Sequence, residues 1–218
     1  MQRLLCPSMM CANFGSLKEE IKALEEAGAD IFHIDFMDGK FVPNFGMGLQ
    51  DFEYIRKSTN KTVDVHLMIE SPAEYIVKFA EMGADIIYFH PEADHHPCRT
   101  LDMIHSFGKK AGIAMNPGTS LDTVREILYQ VDYILVMTVN PGFAGQNYLS
   151  HVDLKIKTLL ELKKQYHYTV MVDGAISPDK IQRLGAMGVE GFILGTSALF
   201  GKDADYKTIM QDIRRDQQ

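Results

Sequence analysis

Short apolar runs recur along the chain, and three of them are entered from the same kind of turn. Ala27-Gly28-Ala29-Asp30 precedes IFHIDF, Met82-Gly83-Ala84-Asp85 precedes IIYFH, and Met187-Gly188-Val189-Glu190 precedes GFILG. Each time, an amphipathic stretch stops at a glycine and the chain enters β-branched or aromatic residues. Glycine suits the left-handed position just past a helix end, so the repeat marks a helix handing over to a strand. Gly28 and Gly83 are 55 residues apart, the length of two βα units.

Read on that basis, eight strands are predicted, at 4–9, 30–36, 62–67, 85–89, 111–115, 132–137, 168–173 and 191–195. The stretches between them carry helical spacing: Leu17, Ile21 and Leu24 form one stripe, and Tyr75, Phe79 and Met82 another. Strands alternating with helices predict a parallel sheet. Eight such units in 218 residues predict an α/β fold, a single (β/α)8 TIM barrel over residues 1–218. An open, doubly wound sheet is the alternative, and the absence of G-x-G-x-x-G after the first strand weighs against it.

Composition narrows the partners. The formal net charge is −7, which argues against nucleic acid or an anionic membrane, although helix N-termini still bind phosphate locally. Cys6, Cys11 and Cys98 make neither a disulfide framework nor a metal-binding spacing. The first residues lack a signal-peptide apolar region, and no apolar run is long enough to span a membrane. A reduced, cytoplasmic protein is expected.

Four polar residues stand where apolar strands should end. His33 and Asp35 lie in strand 2, His66 in strand 3 and Asp173 at the end of strand 7. Side chains alternate along a strand, so His33 and Asp35 share a face. A lone buried carboxylate costs several kcal/mol unless it is paired or binds a metal. A His/Asp salt-bridge network at the barrel top is one reading. A divalent metal site, for Zn, Fe, Mn or Co, is the sharper one. Met37, Met68 and Met137 follow the ends of strands 2, 3 and 6 and either fill core or line a water-free site over a reacting carbon. Glycine-bearing loops follow strands 6, 7 and 8, where barrels of this type hold phosphate on backbone N–H groups. Ser8 ends strand 1, to bind substrate or cap a helix. His90 ends strand 4 with no matching carboxylate pattern after it. His95 and His96 are expected in solvent, as are the lysines and glutamates of 155–164.

Taken together, several motifs resemble the ribulose-phosphate 3-epimerase family. They are Pro7-Ser8-Met9-Met10, His33-Ile34-Asp35-Phe36-Met37-Asp38-Gly39 with Phe41-Val42-Pro43-Asn44, Asp64-Val65-His66-Leu67-Met68, His90-Pro91-Glu92, Asn116-Pro117, the run from Met137 to Gln146, and Val172-Asp173-Gly174. The resemblance runs from about residue 5 to residue 201. It implies a phosphorylated ketose substrate and one divalent metal ion held by His33, Asp35, His66 and Asp173. Asp35 and Asp173 would be the acid/base pair. Ser8, His66, Met37, Met68 and Met137 would touch the substrate. Gly142, Phe143, Ala144, Gly145, Gly174, Ala175, Gly195 and Thr196 would hold the phosphate. A place in the pentose phosphate pathway and a homo-oligomer are also expected. Asn13, Cys11, Ala175 and Thr196-Ser197 depart from the usual family pattern. They leave open a five-carbon substrate, D-ribulose 5-phosphate, or a six-carbon one, D-allulose 6-phosphate. A more distant alternative is a non-catalytic sugar-phosphate-binding barrel. An aldolase or decarboxylase would need a lysine at a strand end, and strands 2 to 7 have none.

Overall fold

The computed structural model describes residues 3–215. Eight strands form one parallel sheet: β1 (Leu4–Pro7), β2 (Ile31–Met37), β3 (Thr62–Met68), β4 (Ile86–Phe89), β5 (Lys110–Met115), β6 (Tyr133–Met137), β7 (Thr169–Asp173) and β8 (Gly191–Leu194). From β2 to β8 each pairs with the next strand in sequence, and β1 pairs with β8. An isolated parallel bridge, Ser8 with His33, joins the two remaining edges, and Asp30 N donates to Leu5 O beside it at 3.0 Å. The sheet is therefore a nearly closed (β/α)8 barrel, with strand ends within two residues of those expected.

Seven α-helices cover it: α1 (Leu17–Glu26), α2 (Leu49–Ser58), α3 (Ile76–Glu81), α4 (Pro97–Ser106), α5 (Val152–Tyr166), α6 (Pro178–Met187) and α7 (Tyr206–Arg215). The crossover between β5 and β6 has 3-10 turns instead, at Leu121–Thr123 and Arg125–Gln130. Val124, Ile127, Leu128 and Val131 recur there every one to three residues and are all buried. A 3-10 turn, with three residues per turn, presents such a set to the sheet.

The predicted stripes hold in part. Ile21 and Leu24 are buried, with Leu17 at the edge of the interface. The second stripe is corrected: α3 starts at Ile76 and buries Ile76, Phe79 and Ala80, while Tyr75 is 44% exposed. The three repeat glycines are left-handed, with φ of +94° at Gly28, +98° at Gly83 and +112° at Gly188. Behind each, an amide reaches five residues back into the helix: Ala29 N to Leu24 O, Ala84 N to Phe79 O and Val189 N to Leu184 O, each at 3.0 Å. These are Schellman ends.

The acids that precede the four even-numbered strands have a structural task. Asp30 accepts from Leu5 N (2.8 Å) and Arg214 (2.8 Å). Asp85 accepts from Val63 N (2.9 Å) and Arg56 (2.8 Å). Asp132 accepts from Ala111 N (2.9 Å) and Lys110 (2.9 Å). Glu190 accepts from Val170 N at 3.1 Å and pairs with Lys163. Each acid thus ties the start of its own strand to the start of a neighbouring one, at the barrel's lower rim.

Apart from a small group of Met37, Val42 and Met68, buried apolar side chains fill two spaces. A large cluster lies between sheet and helices. A smaller one, including Cys6, Tyr88, Leu135 and Met171, fills the barrel itself. The interior is shaped by glycine: a Cβ at Gly112 would stand 2.3 Å from the Tyr88 ring, and one at Gly191 1.8 Å from Met171 Sδ. Large and small residues therefore alternate across the barrel as close packing requires.

Candidate active site

Strand register brings the polar residues together at the upper end. Asp35 is level with His66, and His33 with Asp64, on adjacent strands. With a two-residue side-chain period, His33 and Asp35 of β2 face inward beside Asp64 and His66 of β3. Asp173 enters from the end of β7. One ligating atom from each of His33, Asp35, His66 and Asp173 lies within 4.8 Å of all the others. His33 and His66 are fully buried and Asp35 is 3% exposed.

The hydrogen bonds assign a direction to each group. Asp35 Oδ1 lies 3.2 Å from His33 Nε2 and 3.1 Å from His66 Nδ1. Its Oδ2 accepts from the Ser8 hydroxyl at 2.7 Å. The far nitrogen of His33, Nδ1, donates to Asp64 Oδ1 at 2.7 Å. The far nitrogen of His66, Nε2, meets His90 Nε2 at 2.9 Å. Thr138 at the end of β6 pins the end of β7: its amide donates to Asp173 O at 2.7 Å and its hydroxyl to Asp173 O and Gly174 O.

Burial and charge then separate the two carboxyls. Burial alone would raise Asp35, but His33 and His66 hold it far below the usual carboxylate range. Burial, joined by the Asp35 charge, pushes Asp173 up to about 7. Burial would lower His33, yet Asp64 and Asp35 raise it well above the usual imidazole value. Burial does lower His66, against the pull of Asp35. Two imidazole nitrogens and two mutually repelling carboxylates fit a divalent cation, which would relieve that repulsion. His33 Nε2, His66 Nδ1 and the carboxylates of Asp35 and Asp173 are the atoms that would hold it.

A cavity of about 60 Å³ opens over this cluster. Ser8, Asp35, Asp173 and the three methionines Met37, Met68 and Met137 are on its wall. So are the loop residues expected to meet phosphate: Gly142 to Gly145, Gly174, Ala175, Gly195 and Thr196. His33 and His66 are not on that wall and lie behind Asp35. Gly174 is left-handed and a Cβ there would stand 2.5 Å from Val139. Ala175 is left-handed too, at φ +52°, a conformation that disfavours a side chain. The loop after β2 closes one side: Asn44 Nδ2 donates to Gly142 O at 2.7 Å.

Some roles escaped the sequence reading. Glu92, two residues beyond His90, is a carboxylate partner for it, because Pro91–Ala93 forms a 3-10 turn that brings the chain back. Asp38 does not line the cavity; it braces the β2 loop by accepting from the amides of Lys40, Phe41 and Glu70 at 2.8 to 3.0 Å. Lys155 is not part of a solvated face. It is half-buried and donates to the carbonyls of Asn116 (2.6 Å) and Pro117 (3.0 Å). His95 and His96 are exposed, as expected.

Fold and site together define a (β/α)8 barrel with a His/Asp cluster and a cavity at the C-terminal ends of its strands. The profile of the ribulose-phosphate 3 epimerase family matches residues 4–200. A ribulose-phosphate 3-epimerase of Aquifex aeolicus is 39% identical over 208 residues, 94% of each chain. One from Synechocystis sp. is 44% identical over 201 residues, 90% of this chain and 87% of its own. The chain belongs to the ribulose-phosphate 3-epimerase family and is an epimerase acting on carbohydrates. The fold is wider than the family: N-(5'-phosphoribosyl)anthranilate isomerase from Pyrococcus furiosus superposes with a TM-score of 0.66 at 16% identity, covering 100% of this chain and 99% of its own.

Proposed function

We propose that the protein interconverts D-ribulose 5-phosphate and D-xylulose 5-phosphate, inverting C3 with Asp35 and Asp173 as the two proton-carrying groups. The observation that carries this is their placement: carboxyls from β2 and β7 enter one cavity beside three small-residue loops. Inverting a carbon next to a ketone needs a base on one face and an acid on the other. One carboxylate takes the C3 proton, the electron pair runs to the C2 oxygen to give an enediolate, and the other carboxyl returns a proton to the opposite face. A pair whose proton affinities are pushed apart suits that exchange. The four-residue cluster would hold Zn, Fe, Mn or Co, and a bound cation supplies Lewis-acid polarisation of the C2 carbonyl.

The remaining residues orient the sugar. Ser8 Oγ holds Asp35 in place. Met37, Met68 and Met137 exclude water from the reacting carbon. Backbone of 142–145, 174–175 and 195–196 would hold the phosphate far from C3 and set the sugar's register. Cys11, Ala175 and Thr196 also face this cavity, which favours a second reading, D-allulose 6-phosphate with D-fructose 6-phosphate as its epimer.

Turnover in D2O should place deuterium at C3, and kcat/KM should favour the pentulose phosphate over the hexulose phosphate. The reverse preference would transfer the assignment to the second reading. Asp35→Asn and Asp173→Asn should each lower kcat by at least about 10³-fold with the fold retained, since proton transfer by a positioned side chain is worth roughly 10²–10⁴. Near-normal turnover in either variant, or no deuterium in product, would sink the two-carboxyl mechanism.

A further inference from the structure

The geometry points to His90 as a positioning residue that fixes the ring of His66 for the cation. This rests on the metal reading above. His90 follows β4 and is fully buried. Its Nε2 lies 2.9 Å from His66 Nε2, the nitrogen opposite the one facing Asp35. Two ring nitrogens at that distance need one N–H and one lone pair. For His66 Nδ1 to offer its lone pair, His66 Nε2 must carry the hydrogen, and His90 Nε2 must accept it.

That choice settles the rest of the line. A neutral His90 accepting at Nε2 carries its hydrogen on Nδ1. This Nδ1 is buried and faces Glu92 Oε2 at 3.6 Å. Glu92 is anchored by the β5 loop, accepting from Asn116 N at 3.1 Å and from the Thr119 hydroxyl. Phe41 of the β2 loop covers the His90 ring, centroids 4.7 Å apart. A single set of hydrogen positions therefore runs through His66 and His90, and leaves the His90 Nδ1 hydrogen facing the Glu92 carboxylate at ion-pair distance. His33 has the shorter arrangement, with the Asp64 carboxylate directly behind it at 2.7 Å. The two imidazoles of the cluster thus have different supports: a carboxylate for His33, and a neutral ring with a carboxylate beyond it for His66. Supports of this kind orient a ligating histidine and fix its tautomer.

The test uses the full-length protein with Co(II) as probe, reading affinity by competition with a chromophoric chelator and geometry from the visible absorption bands. His90→Leu keeps bulk and removes the acceptor. It should weaken Co(II) binding by about 10–100-fold, the range for lost outer support, and should shift the bands. His90→Gln, whose amide oxygen can accept from His66, should recover most of the affinity. Glu92→Gln perturbs the same line from its far, less buried end and should shift the bands with a smaller loss; it decides the matter if His90→Leu does not fold. Wild-type affinity and bands in His90→Leu, or in Glu92→Gln should that variant be the one that folds, would overturn the role of His90. Failure of the unaltered protein to bind Co(II) would overturn the metal reading itself, a separate outcome.

Discussion

At the scale of single residues, the site was legible where a polar side chain broke an apolar run. His33, Asp35, His66 and Asp173 stand out in this way, and strand alternation alone puts the first two on one face. The supporting residues were harder to read, because their partners lie on other strands. Asp64 looks like an ordinary alternation in β3 until register sets it beside His33. Glu92 is exposed enough to pass for a surface acid, yet it has a measurable consequence. Burial would raise its carboxyl, but the nearby His90 ring and the bond from Thr119 bring it down from 4.5 to about 2. A depressed carboxyl stabilises the fold above its unfolded value, and that contribution is lost as pH falls through the folded one. The stability advantage of the unaltered protein over Glu92→Gln should thus be full above pH 4.5 and shrink between there and about 2, by on the order of 2 kcal/mol. Urea unfolding at several pH values measures it. A pH-independent difference would show that the Glu92 charge does not support the fold.

At the scale of elements, the period of the pattern decided what could be read. Strands came through because each is a short apolar run, and three of them are entered from a glycine turn. The helices were less exact. Tyr75 matches the spacing of Phe79 and Met82, but Pro72 opens a 3-10 turn that runs to Tyr75 and delays α3 to Ile76. Lys155 reads as a solvated helix position, and only the fold brings the Asn116 and Pro117 carbonyls to it. The acids closing the repeats were visible as a pattern without a task. Their task predicts an effect confined to stability. Asp85→Ala removes a charged acceptor from Val63 N and Arg56 and should cost about 1–3 kcal/mol. Because Asp85 lies at the rim opposite the cavity, kcat/KM should stay within about twofold. Denaturant titration and steady-state kinetics on the same preparation check both halves, and a large loss of activity without a loss of stability would contradict the placement.

On the scale of the whole molecule, the ring of strands is uneven. Seven strand pairs are joined by ladders of two or more residues, whereas among the described residues β1 and β2 meet through the single Ser8–His33 bridge and the two bonds between Asp30 and Leu5. Ser8 and His33 both bear on Asp35. The weakest join of the barrel and the candidate metal cluster are therefore one place. Removing divalent metal with a chelator should lower the melting temperature. It should also quicken amide hydrogen exchange over residues 4–8 and 30–35 more than along β4 and β5 on the far side. A uniform change around the ring would count against this. The barrel is a band fastened by a clasp, and the clasp is the His/Asp cluster. Whatever binds Asp35 also fastens the band, so occupancy of the site and closure of the whole fold rise and fall together.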